Sequence, residues 1–209
     1  MMRVAPEGRP FISAAWVIVG VLAWFHLWIA EALWLPIAVW VVAFFRDPVR
    51  EGPRGDELVI APADGKVVGV IAIDEPVYLG GPATRVSIFM NVFNVHVNRY
   101  PSRGRVGYRQ YSKGRFGHAA PEKASTENEQ SSLGLDTPRG RLLIRQIAGS
   151  IARRIVTDHP EGTDVGQAER MGIIRFGSRV DLFVPAALEV LVQPGQKTKA
   201  GQTVVARWK

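Results

Sequence analysis

A mostly β body of compact barrel or sandwich form, preceded by an N-terminal hydrophobic α-helical hairpin, is the fold class this sequence predicts. Three observations predict it. Residues 11–30 are almost continuously apolar, interrupted by Ser13 and His26, and a second apolar run covers residues 33–45. Beyond residue 46 the chain turns to short valine- and isoleucine-rich stretches punctuated by glycine and proline, the pattern of strands and turns. Cysteine is absent, so neither a disulfide framework nor a thiolate metal site can hold the body together, and burial must do it. At 209 residues the chain is long enough to bury one core and carry an appendage. The expected division is 1–45 for the membrane-associated hairpin and 46–209 for the β-rich body.

A helix over residues 11–30 would reach roughly 30 Å, the hydrocarbon thickness of a bilayer, whereas one over residues 33–45 would reach only about 20 Å. Trp16, Trp24, Trp28, Trp34 and Trp40 supply the indoles that favour membrane interfaces. Arg3 and Arg9 precede the apolar runs, and Arg46, Arg50 and Arg54 follow them. Positive charge on both flanks suits a hairpin that enters and leaves on the cytoplasmic side of the cell membrane, with His26 and Glu31 near its turn. The rival reading is a signal peptide cut at Ala30-Glu31-Ala32; the length of the apolar region and its resumption past the cut oppose it. Arg3 and Arg9 balance Glu7 and Glu31, so the net charge of +7 resides on residues 46–209. Such a body suits an anionic membrane surface. Nucleic acid is excluded, because the basic residues are scattered and most tryptophans lie in the apolar runs.

"RDPVREGPRGDE" ends the helices at Pro48, Gly52, Pro53 and Gly55 and begins an exposed linker. "LVIAPADGKVVGVIAID", "TRVSIFMNVFNVHVNRYP" and "GRVGYRQYSKG" then read as strands. "RLLIRQIAGSIARRIV" fits either a helical face or two strands; its β-branched residues and Gly149-Ser150 favour strands. "KASTENEQSSLGLDTPRG" is polar without either period and is expected to be one long loop, the kind of segment that often carries function. The C-terminal "LEVLVQPGQKTKAGQTVVARW" is expected to form short strands around glycine turns.

Four histidines are present: His26, His96, His118 and His159. His159, before Pro160, reads as a solvated turn residue. His118 lies in a loop, its role open. His96 stands inside the apolar, alternating "FNVHVNRYP", where a histidine is either a satisfied core residue or a base. Asp64 opens a strand in "APADGKV", where an Asx turn is the simpler reading. Ser178 follows Gly177 between two apolar strand segments in "MGIIRFGSRVDLFVP". A tight turn would explain the pair, and so would a self-cleaving bond. Taken together, Asp64, His96 and Ser178 are the orienting carboxylate, base and hydroxyl that activate a serine.

Five segments in order, "FFRDP", "APADGKV", "FNVHVNRYP", "KASTENE" and "IRFGSRVD", make the chain resemble the phosphatidylserine decarboxylases, in their short prokaryotic (type A), pyruvoyl-dependent form. The resemblance implies serinolysis between Gly177 and Ser178, a β chain of residues 1–177 and an α chain of residues 178–209 that stay together as a heterodimer, with higher oligomers possible. Ser178 would become the covalent pyruvoyl group, the only cofactor implied, with no metal. It implies a zymogen that matures by autocatalytic cleavage. The mature form is a lyase of phospholipid metabolism that converts membrane phosphatidylserine to phosphatidylethanolamine. Lys123, Ser125, Asn128 and Glu129 match the family's polar loop and are expected, with His118, to border the substrate. Phe93 departs from the pattern, since longer bacterial members carry a histidine there. Proton delivery to the carbanion would then fall to His96 or His118. Archaeal relatives act on an ether-lipid analogue, so the lipid backbone stays open.

Two other readings exist. A membrane-tethered serine hydrolase would use the same three residues uncleaved, but the chain lacks a Gly-x-Ser-x-Gly elbow. A biotinyl-lipoyl-like carrier or adaptor is suggested by the C-terminal strands "VLVQPGQKTKAGQTVVAR", whose turns at Gly195 and Gly201 are similar to that fold's half-motif, though no lysine occupies a convincing hairpin tip.

Overall fold

The structure is a computed structural model that describes residues 3–114, 128–149, 154–175 and 178–209. The chain divides into two units, Met1–Val49 and Arg50–Lys209.

In the first unit, β1 (Arg3–Val4) is followed by a 3-10 turn (Pro6–Gly8), helices α1 (Arg9–Trp24) and α2 (Trp28–Phe44), and β2 (Arg46–Asp47). Strand β1 pairs antiparallel with β2, so the basic residues Arg3 and Arg46 lie at one end. The Trp34 indole donates to the Ala15 carbonyl at 3.0 Å and ties the helices together. The expected helix over residues 11–30 is corrected: α1 stops at Trp24 and the chain turns at residues 25–27. His26 adopts φ 55°, a left-handed conformation that interrupts the helical ladder where apolar periodicity gave no warning. His26 lies in this turn and Glu31 in the first turn of α2 just after it, so both stand near the turn as expected. Among the described residues no helix is long and apolar enough to cross a membrane.

The second unit contains β3 (Leu58–Ile60), β4 (Gly65–Glu75), β5 (Gly81–Met90), β6 (Val97–Arg99), β7 (Gly104–Ser112), β8 (Gln130–Thr137), β9 (Gly140–Ala148), β10 (Ile155–Thr157), β11 (Asp164–Val165), β12 (Arg170–Ile174), β13 (Ser178–Pro185), β14 (Glu189–Val190), β15 (Lys197–Thr198) and β16 (Val204–Arg207). An antiparallel sheet in the order β11-β7-β8-β9-β13-β5-β4-β15 curls into a half-barrel. Two smaller sheets, β10-β12-β6 and β14-β16-β3, complete the unit. Val180, Leu182 and Val184 of the central strand β13 join Val86, Ile88, Leu133, Leu142 and Ile144 in the main core. Arg179 and Asp181 point to the other face, also buried, where Arg179 Nε and Nη2 donate to the two Asp181 oxygens at 2.6 and 2.8 Å. A strand covered on both faces tolerates two charges because each neutralises and hydrogen-bonds the other.

The long polar loop expected over residues 123–140 is also corrected, because Gln130–Thr137 is a strand. Its serines gave it a loop-like composition. Their hydroxyls are satisfied inside the sheet, Ser131 by Thr157 at 3.2 Å and Ser132 by Arg145 at 3.1 Å, so burial costs little. The linker after α2 is exposed at residues 51–54 but pinned, through Arg54 to the Gly201 carbonyl at 2.8 Å and Gly55 N–H to Gln167 at 3.0 Å.

Candidate active site

Met90, the last residue of β5, is the residue that the Ser178 hydroxyl reaches. Ser178 opens β13 directly opposite Met90 on one side and Ala148 of β9 on the other. On the far edge of β5, Lys66 of β4 pairs with Phe89, which brings Asp64 and Gly65 to the same end of the sheet. A side chain on Gly65 would stand 2.2 Å from the Phe89 carbonyl oxygen, so glycine after Asp64 is a requirement of this close strand approach. The loop that leaves Met90 returns through His96 into β6. Ile60 N–H donates to Pro101 and Arg99 N–H to Pro62, each at 2.9 Å, so the two segments run antiparallel. Asp64 and His96 therefore lie on neighbouring segments, each just beyond these bonds.

The side chains make specific contacts there. Ser178 is fully buried, and its hydroxyl donates to the Met90 sulfur at 3.4 Å. His96 is also fully buried, with Nδ1 3.0 Å from the Asn94 carbonyl. A carbonyl can only accept, so Nδ1 carries a proton, and in the neutral imidazole Nε2 then keeps the lone pair that a general base requires. Arg50 Nη2 donates to both Asp64 oxygens, at 2.9 and 2.8 Å, and the Ala200 N–H donates to one at 2.7 Å. Asp64 therefore faces a guanidinium and a backbone amide here, and the Asn94 carbonyl orients the imidazole. The simple Asx turn is not what Asp64 forms, since its bonds cross the fold to residues 50 and 200.

Of the expected substrate-loop residues, Asn128 and Glu129 are buried next to the site: Asn128 Nδ2 donates to the Ala148 carbonyl at 2.7 Å, and Ala148 N–H to the Glu129 carbonyl at 2.9 Å. Ala148 is the residue opposite Ser178, so this end of the segment is fastened beside the serine. The Tyr111 phenol is pushed up from its ordinary range, chiefly by its hydrogen bond to the Glu129 carboxylate. His118, Lys123, Ser125 and Gly177 lie outside the described residues. Phe93 is 71% exposed in the turn before His96. His159 is not the solvated residue its turn suggested: Nδ1 lies 3.2 Å from the Tyr100 hydroxyl and Nε2 3.4 Å from Glu169. Among the described residues no cluster of histidine and carboxylate groups could hold a metal ion.

Sequence reasoning missed Arg50, Met90, Asn98 and Gln146. The signals were faint. Asn98 shares an extended face with His96 two residues before it, and Gln146 is an amide within the apolar stretch "LLIRQIA".

The family profile described as phosphatidylserine decarboxylase matches residues 37–206. A phosphatidylserine decarboxylase proenzyme from Symbiobacterium thermophilum is 47% identical over 205 residues, covering 98% of this chain and 95% of that protein. A profile that takes in Asp64, His96 and Ser178, joined by a relative matched almost end to end, establishes that the chain belongs to the phosphatidylserine decarboxylase family of carboxy-lyases.

Proposed function

We propose that the chain is a self-processing proenzyme that cleaves itself between Gly177 and Ser178, and that residue 178 becomes the pyruvoyl group used to convert phosphatidylserine to phosphatidylethanolamine. The observation that carries the reading is the position of Ser178. It is the first residue of β13, fully buried, and the bond before it lies in the connection between β12 of one sheet and β13 of another. Breaking that connection removes no strand pair. Residues 178–209 then remain held by β5 and β9 on both sides of β13, by β3 along β16 and by β4 along β15. The two chains accordingly stay together until denatured.

His96 Nε2 takes the Ser178 hydroxyl proton, and the oxygen attacks the Gly177 carbonyl. The peptide C–N bond breaks as the ester C–O bond forms, and the nitrogen takes the proton. Loss of the Cα hydrogen and cleavage of the Cβ–O bond release the Gly177 carboxylate. Water then replaces nitrogen, which leaves as ammonia. One water is consumed in all and no oxidant is needed. The residue 178 site fits the product, because the carbon that bore the hydroxyl becomes a methyl and faces the Met90 thioether in a buried setting. The ketone so formed supplies an electrophile for the substrate amine and a sink for electrons as carbon dioxide leaves. Asn128, Glu129, Lys123, Ser125 and His118 border the substrate in this reading, and His96 or His118 delivers the proton. A C-terminal fragment beginning at residue 178, with the mass of a pyruvoyl rather than a serine end, is the test. An intact single chain in active protein returns the function to the hydrolase reading, and a carrier adduct to the biotinyl-lipoyl one.

Asp64, through Arg50 and the Ala200 amide, fixes the segment beside His96 and adds negative potential that steadies an imidazolium. Asp64→Asn should slow chain splitting without abolishing it, and less than loss of His96 does. A native splitting rate in this variant removes Asp64 from the machinery.

The helices α1 and α2 belong to the same reading as a membrane anchor on the cytoplasmic side. Trp16, Trp24, Trp28, Ile29 and Leu33 are exposed. With 16 and 17 residues, the helices reach about 24 and 26 Å, short of the ~30 Å hydrocarbon core, which suits a hairpin that enters and returns on one side. Deleting residues 1–45 should leave a body that still splits and binds anionic vesicles reversibly. Its remaining attraction is of order 1 kcal/mol per basic residue near the surface, screened within ~10 Å at 0.1 M salt. In flotation the truncated protein should stay with the vesicles at low salt and be released at high salt, whereas the full chain should stay bound at both. Salt release of the full chain shows that the helices are not embedded.

A further inference from the structure

The inner face of the half-barrel is apolar along most of its length and becomes polar at the end that holds Ser178. Ser131 lies 3.2 Å from the Thr157 hydroxyl, which donates to Gln146 Oε1 at 3.1 Å. Gln146 Nε2 donates to Asn98 Oδ1 at 2.8 Å, and Asn98 Nδ2 to the Met90 sulfur at 3.7 Å. Ser178 donates to that same sulfur at 3.4 Å. Asn98 and Gln146 are both buried.

The direction of this chain is fixed at its end. A thioether has no hydrogen to give, so Asn98 must turn its NH2 toward Met90 and its oxygen toward Gln146, which in turn must offer its own NH2. Two donors therefore converge on one sulfur. Methionine is unbranched and turns easily about its side-chain bonds, and the Asn98 contact holds it in one place. A thioether is also a weak acceptor. It sets the direction of the Ser178 hydroxyl without competing with a base for the proton, and it packs equally well against a methyl.

We propose that Met90 and Asn98 form a positioning pair for residue 178: Asn98, oriented by Gln146, fixes the sulfur that aims the Ser178 hydroxyl before processing and seats the methyl afterwards. The proposal rests on the reading of Ser178 as the self-cleaving residue. With a hydrocarbon in place of sulfur, the hydroxyl turns to neighbouring carbonyls and loses its line to the bond it must attack.

The test follows chain splitting of the full-length precursor on denaturing gels, with methionine replaced by norleucine, which keeps the shape and removes the acceptor, or by selenomethionine, which keeps both. Norleucine protein should split about tenfold or more slowly, the scale of a small misplacement of a reacting group, while selenomethionine protein should split at the native rate. Asn98→Ala should slow splitting similarly, and in the norleucine protein it should add nothing further, because without the sulfur Asn98 has nothing left to hold. A purely structural role for Met90 predicts no difference between norleucine and selenomethionine. Native splitting in the norleucine protein, or effects that multiply in the combination, overturns the pair, and the norleucine comparison decides alone if Asn98→Ala does not fold. Ser178→Ala run in parallel separates the two levels: if it still splits, the reading of Ser178 fails. If it is blocked while norleucine protein splits normally, only the pair fails.

Discussion

Ser178→Ala should accumulate as one unbroken chain and release no carbon dioxide from phosphatidylserine. In the proposed reaction the serine supplies the attacking oxygen and, in the same residue, the carbons that become the ketone, so its loss would remove nucleophile and cofactor together. Folding should survive. Ser178 is fully buried and its hydroxyl bonds only a thioether among the described contacts, so alanine removes one weak hydrogen bond and leaves a void smaller than a water molecule. A thermal midpoint near that of the unprocessed native chain, with no splitting over days, is the expected pair of results. An alanine variant that splits at the usual place would show that another group attacks, and the assignment of residue 178 would be lost with it.

His96→Ala should slow chain splitting by about 10²- to 10⁴-fold, the usual contribution of a positioned general base. The geometry makes the sign clear. The Asn94 carbonyl, 3.0 Å from Nδ1, holds the proton on that nitrogen, so in the proposed reaction Nε2 is the nitrogen that accepts from the serine. Asparagine at this position can bond the carbonyl but cannot take up a proton, so His96→Asn should be as slow as His96→Ala. Recovery of splitting in the asparagine variant would mean that the imidazole serves packing alone. Splitting is measured from gel densities over time, independently of decarboxylation, so a defect in processing is not confused with one in turnover.

The residues proposed to carry this chemistry stood out because chemistry demands particular side chains in short, dense segments. Gly177-Ser178, His96 within "FNVHVNRYP" and Asp64 within "APADGKV" could be picked out by type and spacing, and the β character of the body by its valine and isoleucine stretches ended by glycine and proline. The failures have physical causes. Residues 130–137 looked like a loop because serine is counted polar wherever it stands, yet in β8 those hydroxyls find partners on neighbouring elements. The helix expected over residues 11–30 broke at His26, because hydropathy reports what a segment buries against and not which backbone angles it adopts.

By itself, then, the sequence determined the mostly β class of fold and the apolar helices and nominated a serine, a histidine and a carboxylate, all from local composition and side-chain chemistry. Only the tertiary structure decided what surrounds them. Met90 reaches Ser178 across a strand pair, Arg50 reaches Asp64, the Ala200 amide comes from the far end of the chain, and Gln146 sets the Asn98 amide. Each of these is a contact between residues distant in sequence. No period or composition encodes such a pair, because strand register and the satisfaction of buried polar groups are settled by the whole sheet at once.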